Sequence, residues 1–413
     1  MSIQVTLYLD TRRAKQSGLF PAKLRVWDSL IKKAKFYPIG IDFNEKDFDA
    51  TWNKKRPIKA HQEDRIKLDL ILSNANKVVS LLPVFTFERF EKKLFRKSGE
   101  GNDVFYHCTE AVNRLKKGGK LSTAETYELS KKSFVAFEKS KNLNSKSSLS
   151  LYNITVEWLN DYQKYMTDKG RSLTTVGIYL RCMRALFNSA ISEDDINKEF
   201  YPFGKNKYQI PSVKNKKKAL SSEQLRILFK AKVSSPEQKK ARDFWFFSYS
   251  CNGMNIKDIA QTRYKDIEDG VLSFYRAKTL NTSKHGISAI TVHLTDYANT
   301  IIKKYASKKP APDKLVFDII KDDESEEKKR VRIKNFTRFI NQHIKKVCEV
   351  NDLPMITTYW ARHSFATNSI RKGASMEFVQ ESLGHEDLKT TMNYFAGFDD
   401  ETKKEFAEKL MDF

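Results

Sequence analysis

The stretch GHEDLKTTMNYF, Gly384 to Phe395, decides how the last third of this chain is read. Gly384 ends one helical pattern, Asp387 stands where it caps the next, and Leu388, Met392 and Phe395 recur at i, i+4 and i+7 as an apolar stripe. Tyr394 falls off that stripe, roughly 200° around the helix from Met392. A side chain there is not needed to anchor the helix, so its phenol is free for chemistry. His385, nine residues earlier, sits at the turn before the helix.

Upstream, TTYWARHSFATNSIRKG (Thr357 to Gly373) reads as a helix ended by Gly373. Arg362 shares a side with Phe365, Ala366 and Ser369 by i, i+3, i+4, i+7 counting, so this arginine points inward. A buried arginine needs an anion, either an internal carboxylate or a bound phosphate. GVLSFYRAKT and AITVHL read as strands around the polar loop LNTSKHG. Arg276 and Lys278 are two residues apart on the first of these and so share a face.

The rest of the chain sets the context. Its 413 residues suffice for two or three domains, and 75 Lys+Arg against 51 Asp+Glu leave a net charge of +24. The excess is spread along the whole length, which points to a polyanionic partner. Cys108, Cys182, Cys251 and Cys348 show no CxxC spacing, so neither a zinc ribbon nor a disulfide framework is expected, and a reducing cytoplasm fits. MSIQVTLYLD alternates like a strand and lacks the basic start and apolar run of a signal peptide. No stretch approaches the length of a membrane span, so a soluble intracellular protein is expected.

The N-terminal alternation, continued by AKLRVW and FYPIGIDF, predicts a sheet of about three strands. An amphipathic helix follows in HQEDRIKLDLILSNANKVVSLLP, with Ile66, Leu70, Val78 and Leu81 among its apolar positions and Pro83 closing it. RKSGEGND, Arg96 to Asp103, reads as a linker. Helical periods run from Val104 to Pro202, and in TTVGIYLRCMRALFNSAI a polar stripe of Gly177, Arg181, Arg184 and Asn188 is either a solvated face or a DNA-facing one. Lys214, Lys216, Lys217 and Lys218 form a basic connector before the capping-box start Ser221/Gln224. The expected domains are 1–98, 99–214 and 215–413.

ARHSFAT, LGHEDLKTTMNYF and the lysine of RAKT together resemble the C-terminal catalytic domain of tyrosine recombinases, the site-specific DNA recombinases and phage-type integrases. The resemblance implies a multidomain fold. A small β+α arm-type DNA-binding domain would lead, then an all-α core-binding domain, then a mainly α catalytic domain with a small β-sheet. It also implies an enzyme that cuts and rejoins DNA through a 3′-phosphotyrosyl intermediate, without metal, cofactor or ATP, to integrate and excise a mobile element. Tyr394 would be the nucleophile, Arg362 a phosphate clamp, His385 a hydrogen-bond donor to the phosphate, and Lys278 the general acid for the 5′ oxygen. The implied partners are double-stranded DNA at core and arm sites, three further copies in a homotetramer, a host DNA-bending protein and an excision factor. The implied place is the bacterial cytoplasm, at the nucleoid and away from any membrane.

Two positions depart from the family pattern. In CNGMNIKDIAQTRYKDI, Asn255 stands where the family's first arginine is normally found, and with Asp258 it reads as a helix cap. Tyr359 stands three residues before Arg362, where the family normally has His or Lys, and brings a hydrogen bond to phosphate but no charge. Arg276 is the expected replacement cation, with Arg263 and Arg242 as competitors. His363 reads as a structural histidine. In DDETKKEFAEKLMDF, Phe406, Leu410 and Phe413 form an amphipathic tail that packs on its own domain or docks on a neighbouring protomer. Two other readings are a catalytically impaired, recombinase-derived DNA-binding protein and a type IB topoisomerase, the latter disfavoured by the leading domain and the tail.

Overall fold

The computed structural model describes residues 2–54, 58–97, 99–141, 148–212, 218–277, 288–308, 310–398 and 400–410. The chain divides into two compact units, Met1–Ser212 and Val213–Phe413.

In the first unit, period-two alternation builds β1 (Ile3–Leu9), β2 (Phe20–Asp28) and β3 (Lys33–Phe43), an antiparallel sheet in the order β1-β2-β3. One face carries Leu7, Leu24, Val26, Tyr37 and Phe43 into the core. The register puts Tyr8, Lys23, Arg25, Trp27 and Phe36 on the other. After α1 (Glu45–Phe48), the sheet is covered by α2 (Gln62–Ser80) and α3 (Phe87–Leu94). The face of α2 differs from the expected one. Leu68, Ala75 and Val78 are buried, whereas Ile66, Leu70 and Leu81 are exposed. The competing stripe Leu68, Leu72, Ala75, Val79 keeps helical spacing, and small Ala75 allows close approach to the sheet.

The segment read as a linker is instead packed. Arg96 is buried against Asp195, with Nη1 2.7 Å from the carboxylate, and lies 3.5 Å from Glu193. Lys92 and Lys93 reach the same two acids, and His107 donates through Nε2 to the Gly101 carbonyl at 2.8 Å. Glu193, Asp195 and His107 could together ligate a metal, but the three basic side chains already balance these acids.

Helices α4 (Val104–Lys117), α5 (Leu121–Lys141), α6 (Val156–Asp168) and α7 (Leu173–Ser192) enclose an aromatic core that includes Phe134, Trp158, Tyr162 and Phe187. On α7, Arg181, Arg184 and Asn188 are exposed as the stripe requires, but Gly177 is buried. A Cβ there would meet the Pro211 carbonyl at 2.6 Å, so this glycine allows the following chain to cross the helix.

The second unit runs α8 (Ser222–Lys230), α9 (Pro236–Ser250), α10 (Ile256–Gln261), β4 (Ile267–Glu268), β5 (Val271–Phe274), β6 (Ile290–His293), α11 (Asp296–Tyr305), α12 (Glu326–Val350), α13 (Thr358–Arg371), α14 (Met376–Leu383), α15 (Leu388–Met392) and α16 (Asp400–Lys409). Ser221 and Gln224 form the predicted capping box of α8. β4, β5 and β6 make an antiparallel sheet. Buried polar bonds lock α13 in place. Trp245 Nε1 donates to the Thr357 carbonyl at 3.0 Å, the Leu220 amide to Ser364 Oγ at 3.0 Å, and Asn368 to the Leu220 carbonyl at 2.9 Å. Among the described residues, no helix is long and apolar enough to cross a membrane.

Candidate active site

The site forms where α13, the α14–α15 turn and the segment after β5 converge. Arg362 is 3% exposed, on the inward face of α13. Its Nη1 donates to the Gly253 carbonyl at 3.2 Å, and Nη2 to the Leu383 carbonyl at 2.5 Å and to His385 Nε2 at 3.2 Å. Gly253 makes this approach possible. It holds φ +65°, and a Cβ would lie 2.5 Å from the Arg362 Cα. Burial first, then the nearby Arg276 charge, lower the Arg362 pKa to about 10.

His385 follows Gly384, whose left-handed φ of 60° closes α14. Guanidinium groups only donate, so His385 Nε2 is the acceptor toward Arg362 and Nδ1 carries the proton, which it gives to Thr391 Oγ1 at 3.0 Å. That bond also explains a difference from the sequence reading. α15 ends at Met392, which is 58% exposed, and the anchoring residue is the fully buried Thr391 rather than the Met392 stripe. Asp387 caps α15 as expected, accepting from the Lys389 amide at 2.9 Å.

Tyr394 therefore sits in the turn beyond the helix, its amide donating to the Thr391 carbonyl at 2.9 Å. Its own carbonyl accepts from Thr367 Oγ1 at 3.1 Å and lies 3.4 Å from His363 Nδ1. The ring stacks on His363 at 4.6 Å, with His385 at 5.0 Å and the Arg362 guanidinium at 5.5 Å. Its hydroxyl accepts from Tyr359 at 2.9 Å. Burial opposes ionisation of Tyr394, but the Tyr359 hydrogen bond and the Arg362 and Arg276 charges outweigh it, and the phenol is held below its ordinary pKa. Tyr359 moves the other way, raised by burial and by its bond to Tyr394.

Arg276 is buried, and its charge acts on Arg362, Tyr359, Tyr394 and Asp258. It is not on a strand, because β5 ends at Phe274. Its position comes from Asp258 on α10, which accepts the Ala277 amide at 3.0 Å. Burial raises the Asp258 pKa, although the Ala277 amide, both arginines and Asn255 counteract this. Asn255 occupies the N-cap position of α10 but makes no side-chain cap bond; it turns to the Asp258 carboxylate instead. The competitors are engaged elsewhere, Arg263 with Asp322 at 2.6 Å and Arg242 with the Ala231 carbonyl at 2.5 Å. Lys218 is half-buried and near enough to His363 to depress it further, after burial. Lys278, Lys214, Lys216 and Lys217 lie outside the described residues.

The structure thus brings Tyr394, Arg362, His385, Arg276 and Tyr359 together, and it adds His363, Thr391, Asp258 and Gly253. His363 was legible as structural and Asp258 only as part of a cap. Thr391 and Gly253 carried no sequence signal.

Residues 218–401 match the model of the phage integrase family, and residues 103–210 match the phage integrase SAM-like domain. The chain belongs to the phage integrase family, the tyrosine recombinases. Among relatives of this chain, the tyrosine recombinase XerD of Listeria monocytogenes is 22% identical over 299 residues, covering 68% of this chain and 89% of that protein. The ICEBs1 integrase of Bacillus subtilis is 22% identical over 277 residues, covering 63% of this chain and 72% of its own. The fold is shared with the Tn1549 transposon integrase bound to transposon right end DNA, at TM-score 0.51 and 17% identity over 74% of this chain and 99% of that one. It is also shared with a lambda integrase dimer on a core site, at TM-score 0.51 and 16% identity over 72% of this chain and 98% of that one.

Proposed function

We propose that this protein is a site-specific recombinase that integrates and excises a mobile element through a 3′-phosphotyrosyl intermediate at Tyr394. One observation carries the reading: two buried arginines, Arg362 and Arg276, both act on the Tyr394 phenol, whose hydroxyl accepts from Tyr359 at 2.9 Å. The Tyr394 oxygen bonds to phosphorus as the bond to the 5′ oxygen breaks, and the leaving oxygen takes a proton from Lys278. The 5′ hydroxyl of a second strand reverses the step. Arg362 and Arg276 stabilise the pentavalent phosphate, with Arg276 supplying the charge missing at Asn255. His385, beside Arg362, is assigned as a hydrogen-bond donor to the phosphate.

The same reading assigns 1–98 to arm-type DNA, 99–214 to core DNA, and 215–413 to catalysis. The outer sheet face with Lys23, Arg25, Tyr8, Trp27 and Phe36 supports the first assignment, and exposed Arg181 and Arg184 with the basic connector at Lys214, Lys216, Lys217 and Lys218 support the second. Phe406 on α16 and Leu410 just beyond it are 60% and 75% exposed, which supports docking of the tail on a neighbour in a homotetramer. A host DNA-bending protein and an excision factor complete the proposed assembly, which acts on the nucleoid in the bacterial cytoplasm.

The test is trapping on a nicked duplex that carries the attachment site and loses its 5′ product. Covalent protein–DNA with wild type and none with Tyr394→Phe supports the reading. Binding without any adduct leaves a recombinase-derived DNA-binding protein.

A further inference from the structure

Tyr359 occupies a place where the phosphate is expected to find a hydrogen-bond donor, yet its hydroxyl is engaged with another phenol. It lies in the first turn of α13, three residues before Arg362, with its O–H directed at the Tyr394 oxygen 2.9 Å away. The contact is held from several sides. The Tyr359 ring meets His363 edge-on at 4.7 Å, and His363 stacks on Tyr394 at 4.6 Å, so the three rings fix one another's orientation.

We propose that Tyr359 is a positioning residue for the nucleophile, donating a hydrogen bond from its hydroxyl to the Tyr394 oxygen so that the phenolate is held ready and its remaining lone pairs face the phosphate. The inference rests on Tyr394 being the nucleophile. Two hydroxyls share this contact, and only one of them can lose its proton while the contact persists as a strong bond. The groups facing Tyr394 decide which. From α13 come Arg362, Tyr359 and His363; from the α14–α15 turn, His385; from the segment after β5, Arg276. Asp258 on α10 faces the arginines, and Lys218 faces His363. Both arginines act on both phenols, but Tyr394 has the guanidinium of Arg362 against its ring, 5.5 Å from the centroid. Tyr394 therefore ionises first, in line with the opposite directions in which the two phenols are displaced.

The Tyr394 proton leaves to solvent before attack, and Tyr359 keeps its own throughout. When the Tyr394 oxygen bonds to phosphorus, the Tyr359 hydrogen bond weakens with the vanishing negative charge, and the freed O–H turns to a phosphate oxygen. A histidine at this position would bring a charge to the phosphate; the tyrosine instead prepares the nucleophile.

Single-turnover cleavage of the nicked duplex across pH tests this. Tyr359→Phe keeps the ring and removes the donor. Its rate is expected to be about tenfold lower near neutral pH and to converge on wild type at alkaline pH, with the rising limb displaced upward. A fall that is the same at every pH, or no fall, overturns the proposal. Ultraviolet titration of the DNA-free protein supplies a readout that mere packing would not move, since Tyr359→Phe is expected to raise the pH at which the earliest phenolate signal appears. Tyr394→Phe separates the two levels. An adduct persisting in that variant defeats the nucleophile assignment, whereas its loss together with an unchanged Tyr359→Phe profile defeats only the role of Tyr359.

Discussion

Arg96 and Arg362 are both buried arginines, and they are arranged in opposite ways. Arg96 lies 2.7 Å from the Asp195 carboxylate, with Glu193 at 3.5 Å. Burial works against its charge, but Asp195 more than offsets this, and its pKa is raised. Arg362 is held by two carbonyls and a neutral imidazole, faces Arg276, and is lowered to about 10. A depression from 12.5 to about 10 corresponds to a cost on the order of 3 kcal/mol for keeping that group charged in the folded protein at neutral pH. A buried cation paired closely with a carboxylate is structural, whereas one placed beside a second cation, with Asp258 acting on both, keeps charge for an arriving anion.

The strongest test of that contrast is to remove each partner. Arg362→Ala is expected to lower cleavage by about a thousandfold or more while leaving DNA binding largely intact, because its charge is needed chiefly at the transition state. Trapping assays beside gel shifts measure both. Asp195→Leu leaves Arg96 buried without its main carboxylate and is expected to destabilise the first unit by about 3 to 5 kcal/mol, read by denaturant unfolding. Pairing it with Arg96→Met is expected to restore most of that loss, which no substitution of Arg362 should do for cleavage.

Arg276→Ala is expected to cost about a hundredfold in cleavage and Arg263→Ala little, since Arg263 is spent on Asp322. The reverse ranking would remove Arg276 from the site. An anion effect of the same origin is smaller. Thermal melting in phosphate, compared with chloride at equal ionic strength, is expected to be higher for wild type, and the difference should shrink in Arg362→Ala.

The smallest effect comes from His363, whose pKa is lowered by burial and then by Lys218 and Arg362. The folded state prefers the neutral ring, so on acidification the unfolded chain takes up this proton first. Its contribution is complete above about pH 6.5 and is lost as pH falls below that value, with stability rising again on return to neutrality. His363→Asn is expected to flatten the acid side of the stability profile, measured by urea unfolding at several pH values.

Much of the site was legible because its side chains come from short, regular pieces. Arg362 follows from helical counting on α13, His385 from the glycine that closes α14, and Asp387 from its cap. Tyr394 was found by a stripe argument that named the wrong anchor, since Met392 is exposed and Thr391 is buried. Periodicity cannot see that a threonine hydroxyl will be captured by a histidine six residues back. The same limit explains Arg276. It was selected for sharing a strand face with Lys278, yet the strand ends before it, and a carboxylate on α10 places the segment through the Ala277 amide. On α2 two stripes were available, and only the sheet beneath chose Leu68 and Ala75 over Ile66 and Leu70.

By itself the sequence determined the elements, the basic character and the order of Arg, His and Tyr, because these depend on spacing along one helix or turn and on composition. The tertiary structure decided which charges meet. Arg276, 21 residues after Asn255, comes to act on Arg362, and a tyrosine at 359 finds a tyrosine at 394, through contacts between elements that no local period encodes.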